Sequence, residues 1–180
     1  MVEFVAVLLP VLLLVVGIIQ FGLLFAANVT LTNAAREGAR AGSIYYYDYS
    51  IASNTKYRND AARCGDVVEA AMDAFGLLST SSPHFTATLS GGDCPTPVGD
   101  QEVNGDVAIS YCDHLTSPDG SCPEGTDPTT TCVPDSREGC LMQVTITYRS
   151  DIIVPFLGDI IAHDTNGRVV QRVTATMVVN

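Results

Sequence analysis

From Phe4 to Ala27 the chain reads FVAVLLPVLLLVVGIIQFGLLFAA, an apolar run with no charged residue. At about 1.5 Å of rise per residue, a helix of this length crosses a bilayer core of about 30 Å. The helical pattern continues beyond it, because NVTLTNAAREGARAG brings good helix formers and no Pro until well past Gly42. One helix of about 40 residues, roughly 60 Å long, is predicted. Pro10 lies inside it, removes the bond to the Ala6 carbonyl, and predicts a kink or a short unwound stretch. In the second half Leu31, Ala35, Gly38 and Gly42 recur at helical spacing and leave one smooth face of small residues. Such a face lets another backbone approach closely, either a second molecule's helix or the chain's own later strands.

After Gly42 the pattern changes. SIYYYDYSIASNTKY concentrates Tyr45, Tyr46, Tyr47, Tyr49 and Tyr57 beside the helix end, which suits a partly wet interface or a cover over a sheet edge. A second helix is expected from about Asn59 to Leu78, with Cys64, Val67, Val68, Ala71, Phe75 and Leu78 near one face. Strand patterns follow at Phe85 to Leu89, at Val107 to Tyr111, in CLMQVTITY and in the closing RVVQRVTATMVVN. In CLMQVTITY, Met142, Val144, Ile146 and Tyr148 alternate with Leu141, Gln143, Thr145 and Thr147. Four such strands form an antiparallel sheet with one face on the helices and one in water. The expected class is α+β: a long N-terminal helix packed on a small antiparallel β-sheet head with a disulfide-stapled loop. Residues 1–42 form the helix, apolar over 1–27 and amphipathic over 28–42, and 43–180 form the head.

Charge divides the chain further. Its 180 residues hold 9 Lys and Arg against 20 Asp and Glu, a net charge of −11. No basic footprint exists for a phosphate backbone, which argues against nucleic acid as a partner. Glu3 is the one charge in the first 35 residues, whereas Asp93 to Glu138 holds ten acids and one base, Arg137. A cleavable secretory signal fits poorly: no Lys or Arg precedes the run, the run exceeds the usual 7 to 15 residues, and cleavage after Ala26 or Ala27 would put Leu24 or Phe25 where a small residue belongs. An ordinary anchor fits poorly too, since the nearest bases, Arg36 and Arg40, follow the run. Either a basic leader has been removed from the front, or the segment is no ordinary anchor.

Between Cys112 and Cys140 the chain is rich in Pro, Gly, Thr, Ser and Asp and almost devoid of large apolar residues, so it cannot order itself by burial. Six cysteines, Cys64, Cys94, Cys112, Cys122, Cys132 and Cys140, supply cross-links instead. Of the fifteen connectivities that six cysteines allow, nesting across the loop favours Cys64 with Cys94, Cys112 with Cys140 and Cys122 with Cys132. Zinc is disfavoured: no two cysteines sit two to four residues apart, and His84, His114 and His163 lack finger-like spacing. Asp113, Asp119, Glu124 and Asp127 offer hard oxygens for calcium but match no EF-hand, and a solvated acidic loop is the simpler reading. The sequon Asn28-Val29-Thr30 falls inside the predicted helix. With no GxSxG, HExxH, P-loop or CxxC, no enzyme, cofactor or metal centre is expected.

Glu3 demands a partner, because an ionised carboxylate at the start of an apolar run must be paired or neutralised. The α-amino group of Met1, in the same or a neighbouring chain, is the nearest cation. An acid at a helix N-terminus, favoured by the dipole and lying in solvent, is the plainer account. In its VEF opening, the Pro after an apolar stretch, IIQFG, and T-N-A-AREGAR-AG, the first 42 residues resemble the TadE-like pilins of tight-adherence (Tad) pili. VTITY, PFLG and the last Val/Thr strand with Arg172 are more weakly similar to the end of that family. The resemblance implies a type IV pilin-like subunit whose basic leader is removed by a prepilin peptidase. It would be inserted in the inner membrane and then drawn by assembly machinery into an extracellular adhesive filament with copies of itself or other pilins. The family's glutamate falls on Glu3. Met1, Glu3, Pro10, Leu31, Ala35, Gly38 and Gly42 are the expected assembly residues. The alternative is a single-pass membrane protein presenting a cystine-rich binding module.

Overall fold

A computed structural model describes the backbone of residues 2–44, 56–89, 94, 101–113, 122, 132, 137–152, 164 and 166–180. The Tyr45 to Tyr49 cluster, PFLG, and Asp119, Glu124 and Asp127 of the acidic loop lie outside these residues, as do the side chains of Glu3, Tyr57 and Asp113. Helix α1 spans Val2–Ser43 and α2 spans Lys56–Asp73. The strands are β1 (Gln101–Asn104), β2 (Val107–Asp113), β3 (Cys140–Ser150) and β4 (Val169–Val178). They form one antiparallel sheet in the order β1-β2-β3-β4. The chain is α+β, with both helices on one face of the sheet.

The periodicities explain the core. Met142, Val144, Ile146 and Tyr148 on β3, with Val107, Ile109 and Tyr111 on β2 and Val173 on β4, point to the inner face and are buried. Helix α2 answers with Cys64, Val67, Val68 and Ala71, and α1 with Leu31, Ala34, Ala35 and Ala39. Beyond α2, Phe75 meets Phe85 edge-on at 4.8 Å between ring centroids. The second helix ends at Asp73, five residues before the expected Leu78, because the chain turns there, with Gly76 at φ +59.

Phe85–Leu89 is not a strand, contrary to its alternating pattern. Its backbone groups are taken by side chains: Asn104 accepts from Thr88 N–H and donates to Thr88 C=O, both at 2.8 Å. The Asp106 carboxylate accepts from the Thr86 N–H at 2.8 Å and hydroxyl at 2.9 Å, and from Arg149 at 2.7 Å. The unexpected fourth strand is β1, paired to β2 through a two-residue turn whose first residue, Gly105, sits at φ +64. A Cβ at Gly105 would also collide with the Thr86 carbonyl oxygen.

The disulfides are Cys64–Cys94, Cys112–Cys122 and Cys132–Cys140. The first pairing agrees with expectation and the other two correct it. In the β2–β3 register Cys112 faces Leu141, and Cys140 faces Asp113. Directly opposed residues share a sheet face and successive residues alternate, so Cys112 and Cys140 project to opposite faces and cannot be joined. Cys112 and Cys122 close over Leu141 on the outer face, while Cys132 and Cys140 belong to the main core.

A buried charge cluster joins α2 to the approach to β3. Arg137, at φ +60, donates from Nη2 to Asp60 Oδ2 at 2.9 Å and from Nη1 to the Cys132 carbonyl at 3.2 Å. Arg63 Nη1 reaches Asp60 Oδ1 at 3.3 Å, and the Arg137 guanidinium lies 4.5 Å from the Tyr111 ring centroid. All four side chains are essentially inaccessible to solvent. Asp60→Ala leaves two guanidiniums buried without this carboxylate, and a loss of about 3–5 kcal/mol is expected. Thermal unfolding followed by circular dichroism measures it, with exposed Glu69→Ala as the near-neutral control.

Burial raises the pKa of the Tyr148 hydroxyl; a hydrogen bond with the Ser79 backbone works against this and the charge of Asp151 adds to it. The fold therefore favours the neutral phenol, and this stability is fully present below the unfolded tyrosine value of about 10 and declines as pH rises through it. Tyr148→Phe is expected to flatten the alkaline fall of Tm against pH.

A candidate membrane and assembly helix

The helical assignment of α1 passes through Pro10 without the unwound stretch that its sequence suggested. Phe4 and every residue from Val7 to Val15 are exposed. The helix is long and apolar enough to cross a membrane, and its apolar stretch is almost wholly exposed. Among the described residues, no part of the head covers this half of the helix.

The head grips α1 from Gln20 upward. Gln20, 2% exposed, donates from Nε2 to the Asp151 carbonyl at 3.4 Å, and Gln171 of β4 donates to the Leu24 carbonyl at 2.8 Å. At the far end the Asn180 N–H donates to the Ser43 carbonyl at 3.1 Å. From Leu24 to Ser43 the helix rises about 29 Å, and β4 with its last residues covers about 30 Å from Gln171 to Asn180. Strand and helix therefore run side by side in the same direction. At the lower end Arg168 Nε donates to the Asp151 carboxylate at 2.9 Å, and His84 Nδ1 donates to the Arg149 carbonyl at 2.9 Å.

The small-residue positions face inward. Leu31 and Ala35 are fully buried in the head core. A Cβ at Gly38 would stand 3.0 Å from the Val67 carbonyl oxygen and 3.3 Å from the Ala71 Cβ. At Gly42 it would stand 2.5 Å from Val67 Cγ2 and 2.7 Å from Met142 Cε. Of the two uses open to this face, the chain's own packing is the one seen, with α2 as well as the sheet lying against it. Met1 and the Glu3 side chain lie outside the described residues; of the other expected assembly positions, Pro10 is exposed and far along the rod from Gly42.

Gln20 was not among the expected functional residues, although its signal was present: it is the lone hydrogen-bonding side chain between Phe4 and Ala27. The Asp60–Arg137 pair had no such signal, because its members stand 77 positions apart. Among the described residues, no group of three or more His, Cys, Asp or Glu is placed to hold a metal ion.

This geometry defines a class of protein: a disulfide-linked head packed along one side of a helical rod whose apolar lower half is exposed among the described residues. A family model described as TadE-like protein matches residues 1–40, the stretch that carries the resemblance drawn above. Over these residues the chain is similar to the TadE-like family. No curated protein and no solved structure matches the chain.

The inward packing separates two glycines on one helix. Gly42→Ala is expected to lower Tm, since overpacking at about 1–3 kcal/mol outweighs a gain in helix propensity of up to about 1 kcal/mol. Gly22→Ala, with nothing within 4 Å of the added Cβ, should leave Tm unchanged or slightly higher. Thermal melts of both full-length variants in detergent check this.

Proposed function

We propose that the chain is a pilin subunit: its apolar helix is held in the inner membrane before assembly and then bundled with helices of copies or other pilins in an extracellular filament. The bare lower half of α1 carries this reading. Phe4, the run from Val7 to Val15, and Ile18 and Ile19 present a dozen residues left exposed by the described part of the chain, nearly all large and apolar. Burying them in water at roughly 1.5–3 kcal/mol each supplies tens of kcal/mol toward association. Within lipid that drive is absent, so extraction requires work from assembly machinery outside this chain. Stacking of identical subunits by contacts that do not close gives a fibre.

In this reading Glu3 pairs with an α-amino group, of its own Met1 or a neighbour's, as the helices come together. Pro10 leaves the Ala6 carbonyl for a neighbouring segment to satisfy. The heads form the outer wall, their net negative charge favouring solubility, and the filament serves adhesion and surface attachment. Inner-membrane machinery and a prepilin peptidase are the transient partners.

Negative-stain microscopy of sheared cell-surface material, probed with antibody to the head, tests the proposal. Labelled fibres are expected; head antigen confined to the membrane fraction, with no labelled fibre, would instead indicate an anchored binding module. Glu3→Ala is expected to reduce incorporation into fibres while leaving the Tm of the head unchanged. Normal incorporation of that variant would remove charge pairing from the assembly step.

A further inference from the structure

The exposed apolar surface of α1 ends at two different levels. On the side facing the head it is broken where Gln20 is clamped to Asp151, resumes at Leu23, 52% exposed at the edge of that side, and is closed off at buried Ala27. On the opposite side it continues. At about 100° per residue, Ile18, Phe25, Val29 and Arg36 lie within about 20° of one line along the helix, with Phe21 and Gly22 beside it. Gln20, Ala27, Leu31, Ala34 and Gly38, all buried, lie within about 40° of the opposite line. Phe21, Phe25 and Val29 remain 59%, 72% and 45% exposed although the head already flanks the helix at their height.

An upright helix would serve neither side. From Phe4 to Gln20 the rod rises about 24 Å, short of a hydrocarbon core of about 30 Å; from Phe4 to Val29 it rises about 38 Å, which is too long. A tilt of about 40° toward the Val29 side brings 38 Å to about 30 Å, at the upper end of the range seen for membrane helices. At that tilt Gln20 stands about 18 Å from Phe4 along the bilayer normal, and its side chain is paired with the Asp151 carbonyl instead of facing lipid. The line then ends as a membrane interface requires: Val29 is followed by Thr32 and, about 10 Å further on, by exposed Arg36. A long cationic side chain there reaches headgroup phosphates while its stem lies on apolar surface.

We propose that, before assembly, α1 crosses the bilayer at a slant, with Phe21, Phe25 and Val29 buried among phospholipid acyl chains of the leaflet nearest the head. Arg36 meets the phosphates, and the head stands over its own helix. The occupant is lipid because the stripe continues, without an intervening charge, a segment long enough to span the bilayer, and because it closes on a cation at headgroup distance. The inference rests on the membrane-inserted precursor state proposed above.

The chain contains no tryptophan, so single substitutions report depth without background. Leu12→Trp, Phe25→Trp, Val29→Trp and, on the exposed outer face of β4, Thr174→Trp are made in the full chain. Each is reconstituted at low density in phosphatidylcholine–phosphatidylglycerol vesicles with or without brominated acyl chains. The expected result is blue-shifted emission at positions 12, 25 and 29, mostly lost on bromination, and water-like, unquenched emission at 174. Arg36→Glu should shift the Val29→Trp emission to the red and weaken its quenching. Quenching at position 12 with water-like, unquenched emission at 25 and 29 overturns the slant and leaves an upright helix. Blue-shifted emission at 25 and 29 without bromine quenching overturns lipid as the occupant in favour of a second copy. No quenching at position 12 removes the membrane-inserted state itself, and the proposal with it.

Discussion

One continuous hydrogen-bonded rod shared between two surroundings is the constraint on which the rest of the structure depends. Apart from the Ala6 carbonyl opposite Pro10, the backbone groups inside α1 are paired within the helix, so the helix is able to lie in protein, lipid or water, and its side chains decide which. Above Gln20 the answer is protein: alanines and glycines let Val67 of α2 lie almost on the helix backbone, and the sheet closes the remaining side. Below it the answer is left open, since none of the described residues of the head covers Phe4 to Val15. The head packs beside a helix whose lower half is exposed, and in the proposed pilin reading this division lets one subunit pass from membrane to fibre without refolding.

What the sequence revealed tracks how locally each feature is determined. The rod announced itself by an uncharged run followed by helix formers, and β3 by a strict alternation that the structure reproduces from Met142 to Tyr148. The buried face of α2 was legible for the same reason. The edge of the sheet was not. QEVN carries little apolar signal and becomes a strand because Gly105 reverses the chain, whereas FTATL alternates well but loses its backbone partners to Asn104 and Asp106. Disulfide pairing was half illegible because it depends on which face of the sheet each cysteine occupies. A register relation between β2 and β3 decides that, and no spacing within the loop does.

The buried ion cluster illustrates a second limit. Asp60, Arg63 and Arg137 look like ordinary surface charges in the sequence, yet they are taken out of water together, over Tyr111 and against the carbonyl of Cys132. Burial of this kind contributes little net energy when complete and costs heavily when broken. Its effect here is to fix where the end of the acidic loop returns to the sheet, a task that the Cys132–Cys140 bridge shares. A loop too polar to fold by itself is thus tied at its base by a covalent link and an electrostatic one.

The side-by-side course of β4 and the upper half of α1 has a mechanical meaning. Gln171 is fastened to the rod near Leu24 and Asn180 near Ser43, so tension along the rod is handed to β4 lengthwise. Its ladder with β3, registered from Leu141–Val178 to Ser150–Val169, is then loaded in shear, and the rungs resist together instead of opening one after another from an end. A head attached in this way is built to be dragged by its stem.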